Sequence, residues 1–229
     1  DPVWLDAAGG RFFALFTPAG RPRVRGGAIL LHDRGGDPNR LDVIRPLRIG
    51  LAARRWDTLA LQMPVAAWDA PDQAWSELVP EAAPRIRSGI DFLRARGVDG
   101  LVLIGQGLGA RMAAAFMATE PTPEIGALVL IGLPAAQADA VAERLRSVPV
   151  PVLEITGGPE GPVPGAAESA RQGRRFPWRR VVLEGVAPRF QGDDARLLAL
   201  ISGWLARYGS GRKADGGEAV AAVGATTGD

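Results

Sequence analysis

The run Leu101-Val102-Leu103-Ile104-Gly105-Gln106-Gly107-Leu108-Gly109-Ala110 drives an apolar strand into a turn spaced by glycines, and helix-forming residues follow it directly. A strand that is apolar at consecutive positions has both faces covered, which is the condition of a parallel strand between helices. The turn has to be sharp, and glycine admits backbone conformations that L side chains resist. This one segment therefore points to a parallel sheet with a helix leaving from a strand end.

The rest of the chain repeats the alternation. Residues 11–17 (RFFALFT) read as an early, aromatic-rich strand. Residues 28–32 (AILLH), 58–62 (TLALQ), 127–131 (ALVLI), 151–156 (PVLEIT) and 180–183 read as further strands. Helical spacing of apolar residues marks 41–56, with Pro46 as its start or kink. It also marks 78–96, with Pro84 in the first turn, and then 108–119, 135–146, 166–173 and 193–208. Such alternation predicts the α/β class: a mostly parallel sheet with helices on both faces, a three-layer sandwich. A hydrophobic content of 47% over 229 residues suits one domain, placed at 1–208. Residues 209–229 carry Gly, Ala, Thr and charge without an apolar period, and are expected to be a flexible tail.

Composition narrows the chemistry. Cysteine is absent, so disulfides, thiolate catalysis and thiolate-bound metals are excluded. Lys213 is the only lysine, the net charge is +2, and arginines are interleaved with acids, a pattern that does not favour nucleic acid. No apolar run is long enough to cross a bilayer. Asp1-Pro2-Val3-Trp4 reads as a mature start after export, so a periplasmic or secreted location is expected, with the cytoplasm as the alternative.

Several segments together resemble the α/β-hydrolase fold superfamily, and within it a proteobacterial family of uncharacterised, often exported hydrolase-like proteins. They are Leu30-Leu31-His32-Asp33 with Gly35-Gly36-Asp37-Pro38, Trp56 through Met63-Pro64, Arg85 to Leu93, the turn Ile104 to Ala110, and Ile201-Ser202-Gly203-Trp204-Leu205. The resemblance implies a nucleophile elbow, G-x-S-x-G, at the glycine-spaced turn. The nucleophile position then falls on Gly107. The acid falls nearest to Glu160, in Gly157-Gly158-Pro159-Glu160, and the base falls on Pro188, in Gly185-Val186-Ala187-Pro188-Arg189-Phe190. Glycine cannot attack a carbonyl and proline cannot take a proton, so the triad is degenerate. The one histidine, His32, ends an early strand where such folds place the oxyanion loop. It is read as capping that strand, and Asp33 and Asp37 as turn formers.

The expected function is a non-catalytic binding or assembly subunit, with a protein partner or a second copy and no cofactor. A candidate cleft for a small apolar ligand comprises His32, Asp33, Gln106, Gly107, Leu108 and Pro188. A candidate partner surface comprises Trp68, Trp75, Arg174, Arg175 and Trp178. Metal binding is not expected, since a lone histidine with carboxylates suits zinc poorly. One alternative is a hydrolase or esterase with a non-standard nucleophile or a residue supplied by a partner. Ser88 and Ser202 lie in predicted helices, not at an elbow. A second alternative is nucleotide binding through Gly105, Gly107 and Ala110, which match G-x-G-x-x-A. The following strand, ending Ile131-Gly132-Leu133-Pro134, supplies no acid for a ribose.

Overall fold

The computed structural model describes residues 1–20, 23–133, 137–146, 148–158, 174–187 and 190–209. Eight strands form one sheet: β1 (Pro2–Ala7), β2 (Gly10–Thr17), β3 (Gly26–Leu31), β4 (Trp56–Leu61), β5 (Leu101–Gln106), β6 (Ile125–Ile131), β7 (Val152–Gly157) and β8 (Trp178–Leu183). Their spatial order is β1-β2-β4-β3-β5-β6-β7-β8. Only β2 runs against its neighbours; β4, β3, β5, β6, β7 and β8 pair in parallel.

The central strands are as apolar as their position demands. All six residues of β3, β4, β5 and β7 are buried. Alternate side chains feed two cores. One packs Ile29, Leu59, Leu103 and Leu128 against α3 (Ala82–Arg94), α4 (Leu108–Thr119) and α5 (Ala138–Leu145). The other packs Leu30, Ala60, Ile104, Val129 and Ile155 against α1 (Ile44–Ala52) and α6 (Asp194–Tyr208). Each such Leu, Ile or Val side chain contributes about 1.5–3 kcal/mol by leaving water. The molecule is thus the expected three-layer α/β sandwich.

Local differences have local causes. β1 was not expected, because only Leu5 is buried on this edge strand and its apolar signal is weak. The predicted helix over 78–96 is confined to α3 (Ala82–Arg94), and a separate short helix, α2 (Asp72–Glu77), precedes it. Pro80 lies between them, and Pro84 stands in the first turn of α3, where its missing N–H costs nothing. The predicted helix over 41–56 is confined to Ile44–Ala52. The predicted helix at 166–173 and most of the predicted tail lie outside the described residues.

Candidate functional site

Strand β5 ends at Gln106, and α4 starts at Leu108, so Gly107 alone makes the turn. Its backbone is at φ 53°, ψ −113°, outside the basins open to ordinary residues. The elbow geometry is therefore kept without the side chain it usually presents. The flanking glycines permit the close crossing. A Cβ on Gly105 would meet the backbone of Ala110 at 2.6 Å, and one on Gly109 would lie 2.6 Å from the carbonyl oxygen of His32. These glycines face the chain's own atoms, as the close crossing of strand and helix requires.

Asp33 fills the place of a side chain at residue 107. A Cβ on Gly107 would stand 2.6 Å from Asp33 Oδ2 and closer still to Oδ1 and Cγ. Asp33 Oδ1 accepts the Leu108 N–H at 2.8 Å and the Arg34 N–H at 2.7 Å. In hydrolases of this fold the oxyanion hole is built from the N–H after the nucleophile and an N–H of the loop after the third strand. Leu108 and Arg34 occupy those two places, and both amides converge on one carboxylate oxygen of the chain itself. Asp33 forms the turn read from sequence, its carbonyl oxygen accepting the Gly36 N–H at 2.9 Å, and its carboxylate also spans 75 positions to cap the elbow helix.

His32 is committed elsewhere. It is 2% exposed. Its Nε2 accepts the backbone N–H of Met63 at 3.0 Å, which leaves the proton on Nδ1, 2.8 Å from the Asp33 carbonyl oxygen. The tautomer follows from those two backbone partners. Burial is the main cause that pushes the imidazole below its ordinary pKa; the Asp33 carbonyl and the carboxylates of Asp37 and Asp33 oppose it, and Arg85 adds to it. A neutral ring with both nitrogens engaged ties β3 to the segment after β4.

The surroundings are similarly self-contained. Arg34 pairs with Asp72 and lies over the Trp75 ring at 5.2 Å, and Arg111 donates to Ser76 Oγ at 3.2 Å. Burial lowers the Arg111 guanidinium below its ordinary value, with Arg144 adding to the effect. Gln106 and Leu108 are each 7% exposed. The structure thus gathers His32, Asp33, Gln106, Gly107 and Leu108 at one place. Glu160 and Pro188 lie outside the described residues.

The predicted partner surface divides. Trp75 is 3% exposed and belongs to the core, which corrects its place on a surface; it is held against Arg34. Arg174 is half-buried and donates to the carbonyl oxygens of Val148 at 2.7 Å and Val150 at 2.8 Å, as well as that of Leu145. Trp178 donates to Glu154 Oε2 at 3.1 Å, and Arg175 is exposed. Trp68 is 89% exposed, with Val65 nearby in sequence and also exposed. Among the described residues no group of three His, Cys, Asp or Glu side chains is placed to hold a metal, and no helix is long and apolar enough to cross a membrane.

Comparisons with known proteins place this geometry. A family described as "Protein of unknown function (DUF3530)" matches residues 1–85 and 70–207. No curated protein matches the chain. Among solved structures, it is similar to the dienelactone hydrolase of Anabaena variabilis, at 20% identity and a TM-score of 0.73, covering 91% of this chain and 97% of that one. It is also similar to Est1E of Butyrivibrio proteoclasticus, at 15% identity and TM-score 0.68, covering 90% and 97%. A third is XC6422 of Xanthomonas campestris, described as an α/β serine hydrolase without a lid, at 19% identity and TM-score 0.68, covering 90% and 94%. At these identities the likeness shows the fold.

Proposed function

Since the chain belongs to the DUF3530 family of proteins of unknown function and has the α/β-hydrolase fold, we propose that it is a non-catalytic member of that fold, acting as a binding or assembly subunit. The single observation that carries this reading is the Asp33 carboxylate, which takes the elbow amide of Leu108 and the loop amide of Arg34 while covering the apex at Gly107. Acyl transfer needs a nucleophile, a base and donors left free for the developing oxyanion. Here the apex lacks a nucleophile, the only histidine is buried on two backbone groups, and the two amides hold an internal anion. A residue supplied by a partner would still meet occupied donors.

The binding role draws support from Trp68. An indole left 89% exposed, three residues after the exposed Val65, suits contact with a protein partner. Export to the periplasm belongs to the same proposal. A hydrolase reading keeps one observation in its favour, the retained backbone of the elbow at Gly107.

The test is direct. The purified full chain is treated with a fluorophosphonate probe and assayed with short aryl esters. No labelling and no turnover above buffer is the expected result. Stoichiometric labelling of one serine, or ester turnover that the probe abolishes, would overturn the proposal. Crosslinking in the native source, with the Trp68→Ala variant as control, then identifies the partner.

A further inference from the structure

A cavity of about 290 Å³ opens at the end of the sheet opposite Gly107. It is lined by Arg25, Ala53, Arg54, Arg55, Trp56 and Ser202. Three chain segments meet there: the approach to β3, the link from α1 to β4, and the middle of α6. The Arg25 N–H donates to the Arg55 carbonyl oxygen at 2.7 Å, which fixes the first two segments to each other. Trp56, 2% exposed, forms an apolar floor.

The charge of this cavity is unbalanced. Among the described residues no carboxylate lines it, and none of the ion pairs uses Arg25, Arg54 or Arg55. Arg54 spends one N–H on the Gly50 carbonyl oxygen at 2.9 Å. Two other cavities of the molecule show the usual arrangement. In one, Arg94 pairs with Glu124; in the other, Arg87 makes two bonds to Glu120, at 2.5 and 2.6 Å. A second observation is independent of charge. Ser202 Oγ is shielded from solvent, belongs to a residue on the wall of the same cavity, and has no hydrogen-bond partner among the described residues. A buried hydroxyl without a partner is costly, and this one belongs to a residue of the cavity wall.

We propose that this cavity binds a phosphate group, carried by a small phosphate monoester. A dianion answers the three guanidinium charges, whose planar forks match phosphate oxygens, and the serine adds a neutral donor. The volume lies at the small end of ligand pockets, which limits the organic part to a few atoms. The inference is independent of the chemistry at Gly107.

Isothermal titration calorimetry of the full chain with inorganic phosphate and with glycerol 3-phosphate tests it, using sodium chloride at matched ionic strength as control. Single-site binding is expected, weakened at least about tenfold in Arg25→Gln/Arg54→Gln and several-fold in Ser202→Ala. Cosedimentation with phosphatidic acid vesicles distinguishes the source. Binding confined to vesicles and lost in the double variant would keep the phosphate site and assign it to a lipid headgroup. Absence of binding in every arm, or binding unchanged in the double variant, overturns the proposal. Arg25→Glu, scored for retained melting temperature, separates lost binding from lost folding.

Discussion

Asp33 follows β3 and Arg55 precedes β4, so they stand at opposite ends of neighbouring strands. Around Asp33 the polar groups find partners within the chain: two amides on its carboxylate, two backbone groups on His32, and an acid and an indole face on Arg34. Around Arg55, among the described residues, the cations lack acids and Ser202 lacks a partner. In this fold the first end is the one expected to act. Here it is the more completely satisfied of the two, so the capacity for a new polar ligand lies at the end that the fold does not reserve for chemistry.

The strongest way to break the contrast is to restore a side chain at the elbow. Gly107→Ser forces a Cβ into the Asp33 carboxylate at a left-handed backbone position, and should cost about 2–4 kcal/mol in urea unfolding. Adding Asp33→Gly should recover part of that loss, with a coupling of about 1–2 kcal/mol in the double-mutant cycle. A Gly107→Ser protein as stable as the parent would mean that the elbow is not internally filled.

His32 gives the next effect. His32→Phe strands the Met63 N–H and should cost about 1–3 kcal/mol. The folded pKa is lowered, so between that value and about 6.5 the unfolded chain binds more protons. Stability should therefore fall as pH drops through and below about 6.5. With one histidine in the chain, this part of the profile belongs to His32. His32→Gln should flatten it, and a variant that keeps the slope would reassign the titration.

At the other end the effects on stability should be small. Ser202→Ala removes a hydroxyl that bonds to nothing, so unfolding should change by no more than about 0.5 kcal/mol. A larger loss would reveal an internal partner and remove one support for a ligand there. Smallest of all, Trp68→Ala should leave the melting temperature unchanged while reducing partner crosslinks.

The layers of the fold were legible because buried parallel strands are written as unbroken apolar runs, as in Leu101–Gln106. The elbow was legible because its three glycines are local. What fills it was not, since the bond from Leu108 to Asp33 joins residues 75 apart, and an aspartate after a strand is ordinarily a turn former. The available signal was a pairing: a glycine at the apex and a carboxylate in the loop whose amides face it. Trp75 misled for a different reason. It lies in a Pro- and Asp-rich stretch that reads as surface, yet α2 turns its indole inward beneath Arg34. The basic cavity assembles from three distant segments, so no window of sequence contains it.

The cap on α4 also sets an electric field. A helix gathers roughly half a unit of positive charge at its first turn, and a carboxylate brings a full negative one. Taken over α4 and Asp33 alone, the sign at the elbow is reversed, so a helix end that would hold an external anion already holds the chain's own.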